Sequence, residues 1–158
     1  NKAEAEWNPI DTRLPNDTKA LKYSFEVTGN RCKKIESSKI QVKNPKVISM
    51  EWDKKAIMWG EEIELKINTF EMAEEAPNAI IEIWEEEIKF PKRAITSTEL
   101  VLDKDENTLK LTLDFSLVDV SQFANDNDYR IYGIVNIEKW GKYFKQTEEN
   151  YLIVSDDF

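Results

Sequence analysis

The sequence predicts an all-β fold, and three observations carry the prediction. Apolar and polar residues alternate with period two over most of the chain, turn residues punctuate that alternation, and no stretch sustains a helical period. Ala3, Ala5 and Trp7 alternate with Lys2, Glu4 and Glu6, and Leu21, Tyr23, Phe25 and Val27 with Lys22, Ser24 and Glu26. Ile63, Leu65 and Ile67 alternate with Glu62, Glu64 and Lys66, and Leu109, Leu111 and Leu113 with Lys110, Thr112 and Asp114. Each such stretch is a strand with one face in a core and one in water. Further strands are predicted over 34–43, 46–53, 78–88, 94–102, 128–138 and 149–154. Asn8-Pro9, Leu14-Pro15-Asn16-Asp17, Gly29-Asn30, Asn44-Pro45, Ala76-Pro77-Asn78, Asp103–Asn107 and Asn125–Asp128 supply the turns. Residues 70–76 and 116–124 read as short helical turns between strands.

The first third of the chain also matches the last third. Setting Asn1 against Asn107 brings Tyr23 onto Tyr129 and Phe25 onto Ile131. After a hairpin that is longer in the second copy, Glu36, Ile40 and Val42 fall on Glu148, Leu152 and Val154. Residues 46–154 hold about seven strands, enough for a complete Ig-like antiparallel β-sandwich. Residues 1–44 hold three, too few to bury their apolar face alone. Tandem modules are therefore expected, the first one incomplete: 1–44 as the C-terminal strands of a preceding Ig-like module, and 45–158 as a whole module. Asn1 stands in mid-pattern, which predicts that more chain precedes it.

Composition narrows the function. Of 158 residues, 31 are acidic and 22 basic, a net charge of -9 that keeps the chain soluble and repels phosphate backbones, so neither nucleic acid nor an anionic membrane is an expected partner. No apolar run reaches the roughly 18 residues of a membrane-spanning helix. There is no histidine, which removes imidazole-based triads, and the single cysteine, Cys32, forms no internal disulfide and no zinc motif; it is expected to be an ordinary turn or strand residue. Glu61-Glu62, Glu74-Glu75 and Glu85-Glu86-Glu87 are adjacent carboxylates, which on a strand face opposite sides and do not converge as glycosidase chemistry requires. Asp103, Asp105 and Asn107 have the alternate spacing of a calcium loop, but Thr108 stands where such a loop needs glycine, and polar hairpin turns are the expectation there and at Asn125–Asp128. No enzyme activity, metal or cofactor is expected.

Aromatic residues are the remaining binding signal. Trp52 and Trp84 are expected in the core. Trp59, Trp140, Tyr143 and Phe144 stand near turns, where rings are exposed, and are the candidate partner-binding residues. The hairpin tip 138–144, absent from the first copy of the repeat, is the strongest of these.

The segments Asn1–Trp7 (NKAEAEW), Asp11–Pro15 (DTRLP), Tyr23–Val27 (YSFEV) and Lys34–Ser37 (KIES) resemble a bacterial family of tandem Ig-like repeats. So do the Trp52 strand followed by Gly60–Ile63 (GEEI), and Ile81–Trp84 (IEIW). The family belongs to large proteins associated with type VI secretion and related phage-tail-like injection systems. The second module departs from the pattern, with Leu111–Phe115 in place of an Ala/Glu/Trp strand. The resemblance implies a non-catalytic structural or adaptor role, spacing or presenting attached domains and contacting protein partners, in a protein that is secreted or delivered by an injection system. The alternative from the residues themselves is a module that binds carbohydrate or a surface ligand through exposed rings.

Overall fold

The computed structural model describes residues 44–86, 94–114 and 128–155, together with the strand backbone at 21–23, 26–29, 32–36 and 40–42. The predicted strand at 1–7, the turns at 8–9 and 14–17, and the predicted helical turn at 116–124 lie outside the described residues. The chain divides into two compact units, Asn1–Pro45 and Lys46–Phe158. The described elements are strands joined by turns, so the fold is all-β.

In the first unit, β1 (Leu21–Tyr23) pairs antiparallel with β4 (Ile40–Val42), and β2 (Glu26–Gly29) with β3 (Cys32–Glu36). Cys32 is the first residue of β3, a strand position.

The second unit has nine described strands where the sequence reading expected about seven. They are β5 (Lys46–Trp52), β6 (Ala56–Met58), β7 (Glu62–Phe70), β8 (Asn78–Glu85), β9 (Thr96–Val101), β10 (Glu106–Thr112), β11 (Asp128–Ile137), β12 (Lys142–Lys145) and β13 (Leu152–Ser155). The two additional strands, β6 and β12, have only three and four residues, too short to display an alternation. A three-stranded sheet runs β10-β7-β5. A six-stranded sheet runs β6-β13-β11-β8-β9, with β12 pairing on β11 and β6 lying parallel to β13. The predicted hairpin at 103–107 is instead a crossover between sheets, since β9 belongs to the larger and β10 to the smaller. Asn107, whose side chain is buried, holds that crossover by donating from Nδ2 to the Lys104 carbonyl at 2.7 Å. The 70–76 segment does close a turn of helical type, with Glu75 N–H and Ala76 N–H both donating to the Met72 carbonyl.

The core follows from the alternation. Ile63, Leu65 and Ile67 of β7 and Ala79, Ile81 and Ile83 of β8 are buried, as are Tyr129, Ile131, Val135 and Ile137 of β11 and Leu152 and Val154 of β13. The sheets meet at Gly133, where a Cβ would stand 2.5 Å from Met50 Cε and 3.3 Å from Leu65 Cδ2. Beside it, the buried side chain of Gln146 accepts from Gly133 N–H through Oε1 at 3.0 Å. Its Nε2 donates to the carbonyls of Met50 at 3.1 Å and Asn150 at 2.7 Å. Gln146 N–H donates in turn to the Gly133 carbonyl. One amide therefore satisfies backbone groups on both sheets.

Two stability outcomes follow. Gly133→Ala forces Met50 aside and is expected to cost about 1–3 kcal/mol by overpacking. Combining it with Met50→Ala is expected to cost less than the sum of the single changes, measured by urea denaturation as a double-mutant cycle.

Candidate partner-binding surface

The parity of each strand decides which rings reach solvent. In β11, the odd-numbered residues face the core, so Arg130, Tyr132 and Asn136 face outward, with Ile134 on their side of the sheet but buried. Register then fixes their neighbours. Trp84 of β8 stands beside Tyr132, and Glu82 beside Ile134; on the other side, Lys145 of β12 stands beside Ile134 and Tyr143 beside Asn136. The outer face of the six-stranded sheet is thus a strip of Trp84, Tyr132, Tyr143, Lys145 and Arg130, packed against the buried ring of Tyr151 from the residue before β13.

The strip is internally bound. Tyr132 and Tyr151 stack with ring centroids 5.0 Å apart and planes 19° from parallel. Lys145 Nζ lies 4.4 Å from the Tyr132 centroid and 5.9 Å from that of Tyr151, and the Arg130 guanidinium lies 5.4 Å from the Tyr151 centroid. Arg130 also pairs with Glu86 at 2.8 Å, and Trp84 Nε1 donates to Glu82 at 3.2 Å. A hydrogen bond to Tyr151, followed by the nearby phenols, holds the Lys145 ammonium above the usual lysine range against some desolvation. Burial pushes the Tyr132 phenol up, with Lys145 opposing it.

The four candidate residues take different places. Tyr143 is 58% exposed at the middle of β12 and belongs to the strip. Phe144, next along, has the opposite parity, is half-buried, and shares the inward side with Val135. Trp140 is buried at 6% exposure, because a 3₁₀ turn over Glu138–Trp140, closed by Gly141 in the left-handed region, folds its ring back on the unit. Trp59 is half-buried in the β6–β7 turn and meets Tyr129 edge-on at 5.2 Å, closing one end of the core. Trp84, expected inside, lies half-buried on the outer face; its neighbours Ile83 and Glu85 take the inward positions instead. The sequence reading missed Tyr132, Tyr151, Lys145 and Arg130. The signal was available in the outward parity of Arg130 and Tyr132, but the Tyr151 contact depends on a 3₁₀ turn at Glu148–Asn150 that no periodicity marks.

Among the described residues no group of three or more Cys, Asp or Glu stands together as a metal site, and no helix is long and apolar enough to cross a membrane. The Asn107 side chain of the calcium-like spacing is taken up by Lys104 backbone groups.

No family model and no curated protein matches the chain. Among solved structures, it is similar to Pseudomonas fluorescens alkylpurine DNA glycosylase AlkC bound to DNA containing an abasic site analog, at a TM-score of 0.36 and 11% identity. The match covers 70% of this chain and 30% of that one, and at that TM-score it carries no argument about function.

The strip makes a pH prediction. Both Lys145 and Tyr132 have folded-state values raised above their ordinary ones, so folding favours the ammonium and the neutral phenol. Their contribution is fully present below about pH 10 and is lost as pH rises through the raised values. Absorbance titration at 295 nm is expected to show late phenol ionisation that is reduced in Tyr132→Phe.

Proposed function

We propose that the chain is a non-catalytic structural or adaptor piece of a tandem Ig-like protein, which spaces or presents neighbouring domains and holds a protein partner on the outer face of its large sheet. The observation that carries this reading is that both units repeat one order of pairing. In the second unit, the first half of β11 pairs with the last strand, β13, and its second half with the intervening strand, β12. In the first unit, β1 pairs with the last strand, β4, and the following β2 pairs with the intervening β3. Pairing in the same order supports a repeat in which residues 1–45 supply the final strands of one Ig-like module and the remainder supplies a whole one. The strand order also supports the Ig-like reading, with β5, β7 and β10 on one sheet, β8, β9, β11 and β13 on the other, and β6 running parallel to the last strand.

A binding role is supported by the composition of the strip. Tyr, Trp and Arg are the residues that anchor protein interfaces, and Tyr143 offers a free ring beside cations and carboxylates that fix register. Carbohydrate binding is the alternative use of the same rings. The geometry favours a protein, because Tyr132 and Tyr151 stack on each other instead of presenting a flat row to a sugar. Lacking histidine, the chain has no imidazole base. The resemblance to repeats of type VI and phage-tail-like systems suggests the setting, a large bacterial protein secreted or delivered by an injection machine.

Tyr143→Ser in the parent protein tests this. The thermal midpoint is expected to stay within about 2 °C, since an exposed ring contributes little to folding. Co-purification quantified by mass spectrometry is expected to lose one defined protein partner. An unchanged partner set, or glycan binding that the same substitution abolishes, would sink the adaptor reading.

A further inference from the structure

Sheet edges offer unpaired backbone groups to any other strand, and most edges in the second unit are guarded. Strand β5 is broken by a bulge between Val47 and Ser49. Strand β10 carries Glu106 and Lys110, the latter paired with Glu64 at 3.0 Å. Strand β6 has three residues, and β12 begins and ends in lysine. Strand β9 is neither truncated nor edged with lysine, and its irregularity, where Ile95 and Thr96 both face Ile83, stands before its first residue. Its six residues, Thr96-Ser97-Thr98-Glu99-Leu100-Val101, contain no proline, glycine or lysine, and they pair with β8 in unbroken register. Glu99 is its single charge, so this edge carries little of the chain's net -9.

The free groups can be assigned. Leu102 N–H donates to the Pro77 carbonyl, and antiparallel alternation from that bond turns the backbone groups of Leu100, Thr98 and Thr96 toward β8. The N–H and C=O of Ser97, Glu99 and Val101 therefore point away from β8, along an edge that pairs with no other strand among the described residues. On the inward side, Thr96, Thr98 and Leu100 remain half-exposed.

We propose that β9 is the edge at which two copies of the chain join, their β9 strands pairing antiparallel to make one continuous sheet. The strand is self-complementary in one register. Setting Thr98 opposite Thr98 places Ser97 of each copy against Glu99 of the other and Thr96 against Leu100. Hydrogen-bonded pairs then fall on Ser97 and Glu99, whose groups point away from β8, and a Thr–Thr pair sits at the close, non-hydrogen-bonded centre. The neighbouring register on one side sets Glu99 against Glu99 and is disfavoured by like charge; the one on the other side pairs fewer residues.

The test is sedimentation of the full chain from micromolar to millimolar concentration, with three variants. The parent chain is expected to move reversibly from monomer to dimer. Ser97→Pro removes an outward N–H without touching the β8 ladder, so it is expected to give a monomer throughout with its thermal midpoint little changed. Ser97→Lys sets an ammonium against Glu99 twice and is expected to tighten the dimer about tenfold. Adding Glu99→Lys sets lysine against lysine and is expected to reverse that gain. A chain that stays monomeric at every concentration overturns the proposal. So does a dimer indifferent to Ser97→Lys, or one that a folded Ser97→Pro variant retains, which would place the contact on another surface.

Discussion

The architecture of the second unit depends on one change of partner. Strand β11 pairs with β13 over Asp128–Ile131 and with β12 over Ile134–Ile137, so its ladder is interrupted between the two. Gly133 falls in that interruption, and its N–H and C=O would go unpaired in the interior, at a cost of about 1–3 kcal/mol each. Gln146 removes the problem from both ends, receiving the N–H with its side chain and reaching the C=O with its own backbone. The same side chain crosses to the Met50 carbonyl of the other sheet, tying the two layers where Met50 and Leu65 leave no room for a Cβ at 133. Approach and hydrogen bonding require each other here. Without a Cβ at 133, Met50 and Leu65 fill the space above the backbone, and the amide that repairs the ladder is sealed from water.

The outer face inherits its order from this arrangement. Because Gln146 fixes the end of β12, Lys145 is held over the sheet where its ammonium meets Tyr132 and Tyr151. Because Nε2 of the same residue also holds the Asn150 carbonyl, Tyr151 is delivered to the stack. The surface strip and the buried amide are thus two sides of one loop, residues 146–151. Asn150, Thr147 and Lys55 add further polar contacts to that loop. An interface ring is most effective when its neighbours are already immobile, since ordering them on binding then costs less. Tyr143 stands beside such a group of neighbours.

How far this was legible in the sequence depends on length. The alternations at Ile63–Ile67 and Leu109–Leu113 are long enough to give strands and faces, and they become β7 and β10 paired Leu65 to Leu109 and Ile63 to Leu111. Shorter features escape. Ala56–Met58 contains one buried residue, Ile57, and so shows no period. Trp84 and Glu85 exchange the places that hydrophobicity alone assigns them, because strand parity outranks residue type once Ile81 and Ile83 have fixed the face. Trp140 has a turn composition but a buried ring, because a left-handed Gly141 reverses the chain after it. The crossover from β9 to β10 looks like any polar hairpin turn, and only the hydrogen bonds from Thr69 to the carbonyls of Lys104 and Asp105 distinguish it. These are tertiary facts, settled by partners distant in sequence.

The edges of the large sheet follow a different logic from its faces. A core position is filled because burial is favourable, but an edge must be defended because pairing with a stranger is favourable too. A bulge, a truncated strand and terminal lysines each weaken one edge of the unit at some expense to regular pairing. Strand β9 keeps its full register with β8 and keeps β-branched residues at three of six positions, the composition that pairs well with another strand. A sequence under pressure only to stay monomeric reaches a guarded edge by one substitution, such as Ser97→Pro. The unguarded edge therefore lies on the same sheet as guarded ones, at its opposite end, and the difference between them is local to β9, where strand pairing, not the core, sets the residue choice.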